Sequence, residues 1–506
     1  MTDFGEILRN VGEFGLFQKC MVLMMSFVSV FNAFHMFGQI FLSISVPHHC
    51  NTTWILEKSP NLTEDKLLNL TVPKNAEGAF EKCLMYTPVD WDIETIEKYG
   101  LNDTEGCRDG WLYDTSEQKS TLVTEFDLVC GKREQIDIAQ SIFMVGLLIG
   151  AVIFGYVGDR PGESSTSGVT LFKIEFPFYD TPSLCVIILG NNVYSFLDVV
   201  TEWVGSPRRA FATVIGHVSF AMGQMILAGV GYAVRNWRLL QIIGSVPTAL
   251  LFFYIWVFPE SPRWLITKGK YKEAKKVLHR AASMNKKTFS EELLSQIHEE
   301  NTSKKGNILD LFRKRYLRKI ALIMGFVWFV NSLVYYGLSL NIGSFGLDIY
   351  LTQLIFGAVE IPARLGAVFL VQIFGRKFSQ VGCLLLGGIV CLIVTGIPKD
   401  LPIVITSLAV IGKFAIASSF SICYVYAAEL FPTIIRQSGV GFCSTLARVA
   451  GIISPLITLL TRYHSAIPMA IFGSGPVIGG LLCFLLPETL NKDLQDHTAE
   501  NDVNQR

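Results

Sequence analysis

The stretches Val257-Phe258-Pro259-Glu260-Ser261 and Leu485-Leu486-Pro487-Glu488-Thr489 each close an apolar run, and Pro487 stands 228 residues after Pro259. A signature that recurs at the end of a hydrophobic segment, half a chain apart, marks a duplicated membrane bundle. Repeated bundles are a common construction of secondary transporters, in which the substrate site lies near mid-bilayer where the halves face each other.

Composition agrees. Of 506 residues 50% are hydrophobic and 17% charged, with a mean hydropathy of +0.41, too apolar for a soluble chain of this length. Runs long enough to cross ~30 Å of hydrocarbon, about 20 residues each, fall at 21–46, 138–157, 211–234, 239–258, 320–340, 349–373, 380–397, 402–427, 437–461 and 465–486, with a weaker one at 183–200. Formal net charge is zero, which gives no ground for a nucleic-acid partner. Residues 1–19 are polar and the first span lacks a small-residue cleavage site, so no cleavable signal peptide is expected.

Charge is distributed unevenly between loops. Segment 47–135 holds 17 Asp or Glu against 9 Lys or Arg, whereas 259–319 holds 16 Lys or Arg against 7 Asp or Glu. Basic loops stay cytoplasmic, which places 259–319 inside and 47–135 outside. The glycosylation sequons agree, because Asn51, Asn61, Asn69 and Asn102 each begin N-x-T within 47–135. Asn301 also begins such a triplet, in the basic loop, and is read as a chance match. Four of the 11 cysteines, Cys50, Cys83, Cys107 and Cys130, share the outer loop and are expected to form two disulfides, with three pairings open. No Cys/His pattern has zinc spacing, and neither a metal nor a cofactor is expected.

Motifs recur along nearly the whole chain. They are Val11-Gly12-Glu13-Phe14-Gly15-Leu16-Phe17-Gln18, Pro47-His48-His49-Cys50, Glu125-Phe126-Asp127-Leu128-Val129-Cys130, Glu202-Trp203-Val204-Gly205, Trp237-Arg238, Pro259 to Leu265, Gly375-Arg376-Lys377, Glu429 to Thr433 with Arg436-Gln437, and Pro487 to Leu490. These resemble the organic anion, organic cation and carnitine transporters of solute carrier family 22. The resemblance implies an all-α polytopic protein of the major facilitator fold: two pseudo-symmetric six-helix bundles, both termini cytoplasmic, working by alternating access. The expected organisation is then 1–46 for the N-terminus and first helix, 47–135 for the glycosylated outer loop, 136–258 for the rest of the first bundle, 259–319 for the inner basic loop, 320–486 for the second bundle and 487–506 for the tail. Asp159, Arg160, Glu202, Arg208, Glu260, Arg263, Arg376, Glu429, Arg436 and Glu488 match the family's charged helix ends. There, ion pairs such as Glu202 with Arg208 and Glu429 with Arg436 can cap helix termini and hold a gate; the alternative is that the bases only anchor helices at the headgroups.

Ionisable side chains at mid-bilayer depth are costly and are functional candidates by default. In the second half they are Glu360, Arg364, Lys413 and Arg448. Arg448 lies about 11 residues into the span 437–461, with no acidic residue on that helix. A guanidinium there suits a carboxylate or sulfonate, which it grips in bidentate fashion. The segment Cys443-Ser444-Thr445-Leu446-Ala447-Arg448 resembles the organic anion branch, which carries arginine at this place where the cation branch is acidic. Arg364 also matches a basic position of that branch, but Glu360 precedes it by four residues, the favourable order for a same-helix pair, so site and pair both stand. Lys413 either lines the cavity or pairs across helices. Trp328, Tyr335, Tyr336, Phe420 and Tyr424 resemble the aromatics that line the family's pocket, against the plain reading of core or lipid-facing side chains.

Between the second span and Glu202 the pattern fails. After Asp159-Arg160 the family has Gly-Arg-Arg; here Pro161-Gly162-Glu163-Ser164-Ser165 follows. The repeat gives an independent check: Gly375 to Glu429 is 54 residues, Gly162 to Glu202 only 40. Some 14 residues are missing by that measure, too few remain for two spans, and the third and fourth helices of the first bundle are expected to be disrupted, as in a splice or gene-model variant. The expectation is a plasma-membrane carrier of small organic anions, by exchange against a counter-anion or by uniport. A carnitine, zwitterion or cation carrier and a variant without transport are the alternatives. No nucleophile, base and orienter constellation points to an enzyme.

Overall fold

The computed structural model describes residues 4–75, 78–158, 200, 203–249, 259, 262–267, 269–287, 310–398, 400–432 and 435–490. The interval 161–199 and the span expected there lie outside them, as does the end of the 239–258 run. The chain divides into two units, one of residues 40–136 with 231–241, the other comprising 1–39, 137–230 and 242–506.

The helices in chain order are α1 (Phe4–Val11), α2 (Leu16–Leu42), α3 (Glu64–Thr71), α4 (Ile93–Tyr99), α5 (Leu122–Glu125), α6 (Glu134–Gly158), α7 (Ser206–Ala233), α8 (Trp237–Ala249), α9 (Pro262–Thr267), α10 (Tyr271–Met284), α11 (Asp310–Arg313), α12 (Arg315–Leu340), α13 (Ile349–Phe374), α14 (Arg376–Thr395), α15 (Pro402–Leu430), α16 (Arg436–Thr458) and α17 (Ile467–Cys483). Seven of the described helices are long and apolar enough to cross a bilayer. Each of the six expected spans of the second half becomes one helix, α12 to α17, because an uninterrupted run of ~20 apolar residues in lipid can satisfy its backbone only as a helix. Their ends shift by a few residues from the hydropathy limits. Asp348 caps α13 by accepting from the Leu351 N–H at 2.8 Å, and Pro402 starts α15 where its missing N–H costs nothing.

In the second half α12 packs on α15, α16 and α17, and α14 on α15 and α17. At the α14–α17 crossing a Cβ on Gly388 would come within 2.7 Å of the Gly473 carbonyl oxygen, so glycine at both positions lets the backbones touch. Leu317, Met324, Trp328, Tyr426, Leu430 and Cys483 belong to the core that results. In the first half, α1 lays Ile7, Leu8 and Val11 into one cluster with Ala274, Leu278 and Ala281 of α10. Asn285 fixes that strap: its Oδ1 accepts from the Phe17 N–H at 2.9 Å and its Nδ2 donates to the Val11 carbonyl at 2.9 Å.

The smaller unit departs from an all-helical reading. It contains two short antiparallel ladders, β1 (His48–Cys50) on β4 (Trp111–Tyr113), and β2 (Leu84–Tyr86) on β3 (Thr104–Gly106). Cys50 pairs with Cys107 and Cys83 with Cys130, the one choice among three that the sequence left open. Two motif stretches meet here, since Glu125 accepts from Trp237 Nε1 at 2.7 Å and forms an ion pair with Arg238. Asn61, Asn69 and Asn102 are exposed on this unit, and Asn51 is half-buried. Burial and the hydrogen bond it donates to Asp127 at 2.9 Å push the Tyr113 hydroxyl above the ordinary tyrosine range.

Candidate substrate cavity and its charged surroundings

Within the larger unit a cavity of about 50 Å³ is lined by Met36 of α2, Met144 and Leu147 of α6, Trp328, Ser332 and Tyr336 of α12, Phe420 and Tyr424 of α15, and Ser444, Ala447, Arg448 and Gly451 of α16. Helical periodicity explains the grouping. Positions 328, 332 and 336 are one turn apart, as are 420 and 424, and 444 and 448, so each helix shows the cavity a single face. The walls are unlike. The first half supplies thioether and aliphatic surface, and the second supplies aromatic rings and the hydrogen-bonding groups. The Trp328 and Tyr424 rings pack at a tilt of 59° with centroids 4.2 Å apart, and the Phe420 ring lies 5.8 Å from that of Tyr424. Trp328 is fully buried, and its Nε1 donates to nothing among the described residues.

Arg448 is half-buried on this wall, and its Nη1 donates to Ser444 Oγ at 3.2 Å. That bond, to a hydroxyl four residues away, orients the guanidinium along the cavity wall. Fixed cationic donors beside aromatic faces, in a small cavity at membrane depth, are fitted to an anionic group carried on a flat apolar body.

Arg364, Lys413 and Tyr335 are absent from that lining. All three converge instead on Glu360. Its Oε2 lies 3.1 Å from Arg364 Nη2, and its Oε1 takes Lys413 Nζ at 2.8 Å, the Tyr335 hydroxyl at 2.7 Å and Gln224 Nε2 of α7 at 3.0 Å. Lys413 also donates to Ser339 Oγ at 2.6 Å and sits 3.4 Å from the centre of the Tyr335 ring. Glu360 and Lys413 are wholly buried, and Arg364 is 5% exposed. Of the two readings of Arg364 the same-helix pair is the one realised here, and Lys413 pairs across helices. The reason is desolvation: a lone ammonium at this depth is far costlier than one that shares a carboxylate.

The charged helix ends assemble as well, with one change of partner. Glu429 pairs with Arg376 at 2.8 Å and accepts from Thr489 Oγ1 at 2.6 Å, while Arg436 Nε donates to the Phe431 carbonyl at 3.3 Å. The expected Glu429–Arg436 pair is thus replaced by Glu429–Arg376, which joins the ends of α14 and α15. Glu488 caps α14, accepting from the N–H groups of Arg376 at 2.9 Å and Lys377 at 3.0 Å. Burial works against its charge, but these N–H groups and those of Thr489 and Leu490 hold its carboxyl below the usual glutamate range. Arg208 is exposed. Asp159, Arg160, Glu202, Glu260 and the side chain of Arg263 lie outside the described residues.

Known proteins resemble this chain in sequence and in fold. Residues 208–500 match the sugar (and other) transporter family. Human solute carrier family 22 member 13 is 45% identical over 98% of this chain and 92% of its own length. The chain belongs to solute carrier family 22. Rat solute carrier family 22 member 6 is 38% identical over 97% of this chain and 93% of its own. Among solved structures the E. coli xylose transporter XylE, in a partially occluded inward-open conformation, superposes with a TM-score of 0.57 at 15% identity, covering 94% of this chain and all of that one. The human organic anion transporter MFSD10 gives 0.51 at 13% identity, covering 92% of this chain and 99% of that one. The family 22 chain is therefore a multi-pass membrane transporter of organic ions with the major facilitator fold, and no enzyme.

Ser332 and Ser444 were missed in the sequence, although their spacing of four from Trp328, Tyr336 and Arg448 was available. Met36, Met144 and Leu147 carry no such signal, since an apolar residue in an apolar run reads the same whether it faces lipid or cavity. Gln224, which reaches the charged group from the first half, gave no signal either.

Proposed function

We propose that this transporter moves small organic anions across the plasma membrane by alternating access, as an exchanger against a counter-anion or as a uniporter. The observation that carries the reading is Arg448, whose guanidinium stands on the cavity wall beside Trp328, Tyr336, Phe420 and Tyr424. The Glu360 group supports it. Two bases share one acid there, so the surroundings of the cavity carry a net positive charge. In this reading Arg448 takes the anionic group, the rings take the body, and Arg364 and Lys413 act through the field they leave after pairing. Glu429, Arg376 and Glu488 hold a cytoplasmic gate. Both termini and the loop 259–319 are cytoplasmic, while 47–135 is extracellular and glycosylated at Asn51, Asn61, Asn69 and Asn102.

Uptake of labelled organic anions by cells, with surface biotinylation alongside, tests the reading. Anion uptake above mock-transfected cells, and none of a quaternary ammonium or carnitine, is the expected result; the reverse selectivity overturns it. A glycosidase that removes N-linked sugars should lower the apparent mass, and substitution of the four asparagines should erase the shift. The interval 161–200 is the proposed limit on competence. Replacing it with a two-helix segment bearing Gly-Arg-Arg should raise surface level and uptake together, and equal transport by the unaltered chain would show that nothing is missing there.

A further inference from the structure

Gln224 is fully buried in mid-helix on α7, a first-half helix, yet its Nε2 donates at 3.0 Å to Glu360 on α13 of the second half. One turn away the two helices touch. A Cβ on Gly357 would come within 2.8 Å of Met225 Cγ and 3.1 Å of the Ala221 carbonyl oxygen, so glycine there lets α13 lie against Met225 and the α7 backbone. The other partners of Glu360, namely Tyr335, Arg364 and Lys413, stand on α12, α13 and α15, all in the second half. The Gln224 carbonyl is only loosely held, 3.5 Å from Gln353 Nε2.

We propose that Gln224 is the positioning residue through which the first bundle grips the Glu360 group, and that this bond is broken and remade in each transport cycle, so that it governs turnover and not substrate affinity. The proposal rests on the alternating-access reading above. An amide N–H on a buried carboxylate is a charge-assisted bond, stronger than a neutral one. The bond therefore resists the rocking of one bundle against the other. Because Glu360 keeps three second-half partners without Gln224, losing the amide leaves the group assembled, unlike losing Glu360 itself.

The test uses full-length protein in proteoliposomes. Gln224→Leu should change the maximal transport rate at least threefold and leave KM within twofold. On a Ser444→Cys background it should shift by a similar factor the rate at which a membrane-impermeant maleimide reaches the cavity wall. Exchanging the groups, Gln224→Glu with Glu360→Gln, keeps one donor and one acceptor across the seam and should recover more activity than Glu360→Gln alone. A wild-type rate with wild-type alkylation, or a changed KM at constant maximal rate, overturns the proposal. Should Gln224→Leu not fold, the shorter Gln224→Asn with the exchange pair decides. The alkylation readout needs no substrate, so a failed anion assay leaves this inference decidable, and normal anion uptake by Arg448→Asp would sink the anion reading without touching it.

Discussion

The Glu360 group and the Arg448 wall start from the same sequence signal, a base in the middle of an apolar span, and end in opposite states. Arg364 and Lys413 are buried and share a carboxylate, whereas Arg448 borders a cavity and has a neutral serine beside it. Depth alone does not make a charge a binding group. What separates the two is the setting: on one side a single buried acid takes both bases, and on the other the base lines a cavity among aromatic, aliphatic and hydroxyl-bearing side chains.

Removing the acid should break the comparison most completely. Glu360→Ala leaves two buried cations without their carboxylate, and breaking a buried pair costs about 3 to 5 kcal/mol. Near-total loss of monodisperse protein after detergent extraction is expected, and Glu360→Gln joined to Lys413→Met should restore part of it. A wild-type yield from Glu360→Ala would mean that the group is not structural.

Arg448→Asp should act on the other side alone. Losing a charge contact of about 2 to 5 kcal/mol lowers anion uptake by a factor of about 30 or more at unchanged surface level. Arg448→Lys keeps the charge without the bidentate fork and should fall between. If Arg448→Asp instead disappears from the surface, the two arginines are alike after all.

The smaller unit, which carries neither charge, offers a control. Cys107→Ser opens the loop closed by Cys50–Cys107, 57 residues apart, which on chain-entropy grounds removes about 4 kcal/mol of local stability. Faster proteolysis between residues 47 and 135 is expected, with a smaller fall in uptake than Arg448→Asp gives. Peptide mapping without reductant should recover 50 linked to 107 and 83 linked to 130; any other pairing contradicts the ladders of β1 to β4.

Glu488 gives the smallest effect and a pH dependence of known sign. Its folded pKa lies below the ordinary 4.5, so its contribution is full above that value and is lost as pH falls through the lower folded one. Glu488→Gln should therefore lower the thermal midpoint slightly at pH 7 and converge with the parent in acid. A gap that widens on acidification would reverse the assignment.

The sequence by itself determined the membrane class, the repeat, six spans of the second half and the disulfide-bearing loop, and it offered the Glu360–Arg364 pair as one of two readings. The spans are written in neighbouring residues, because hydropathy sums over one stretch, and a helix brings i and i+4 together. Only the tertiary structure decided that Cys50 joins Cys107, that Glu429 takes Arg376 over Arg436, and that Lys413, Tyr335 and Gln224 meet on one carboxylate. Gln224 and Glu360 are 136 residues apart and Tyr335 and Glu360 are 25 apart, each on a separate helix. A one-dimensional pattern fixes which face of a helix is polar but not which neighbour turns toward it, because packing between helices, not sequence distance, selects the partner that relieves a buried charge.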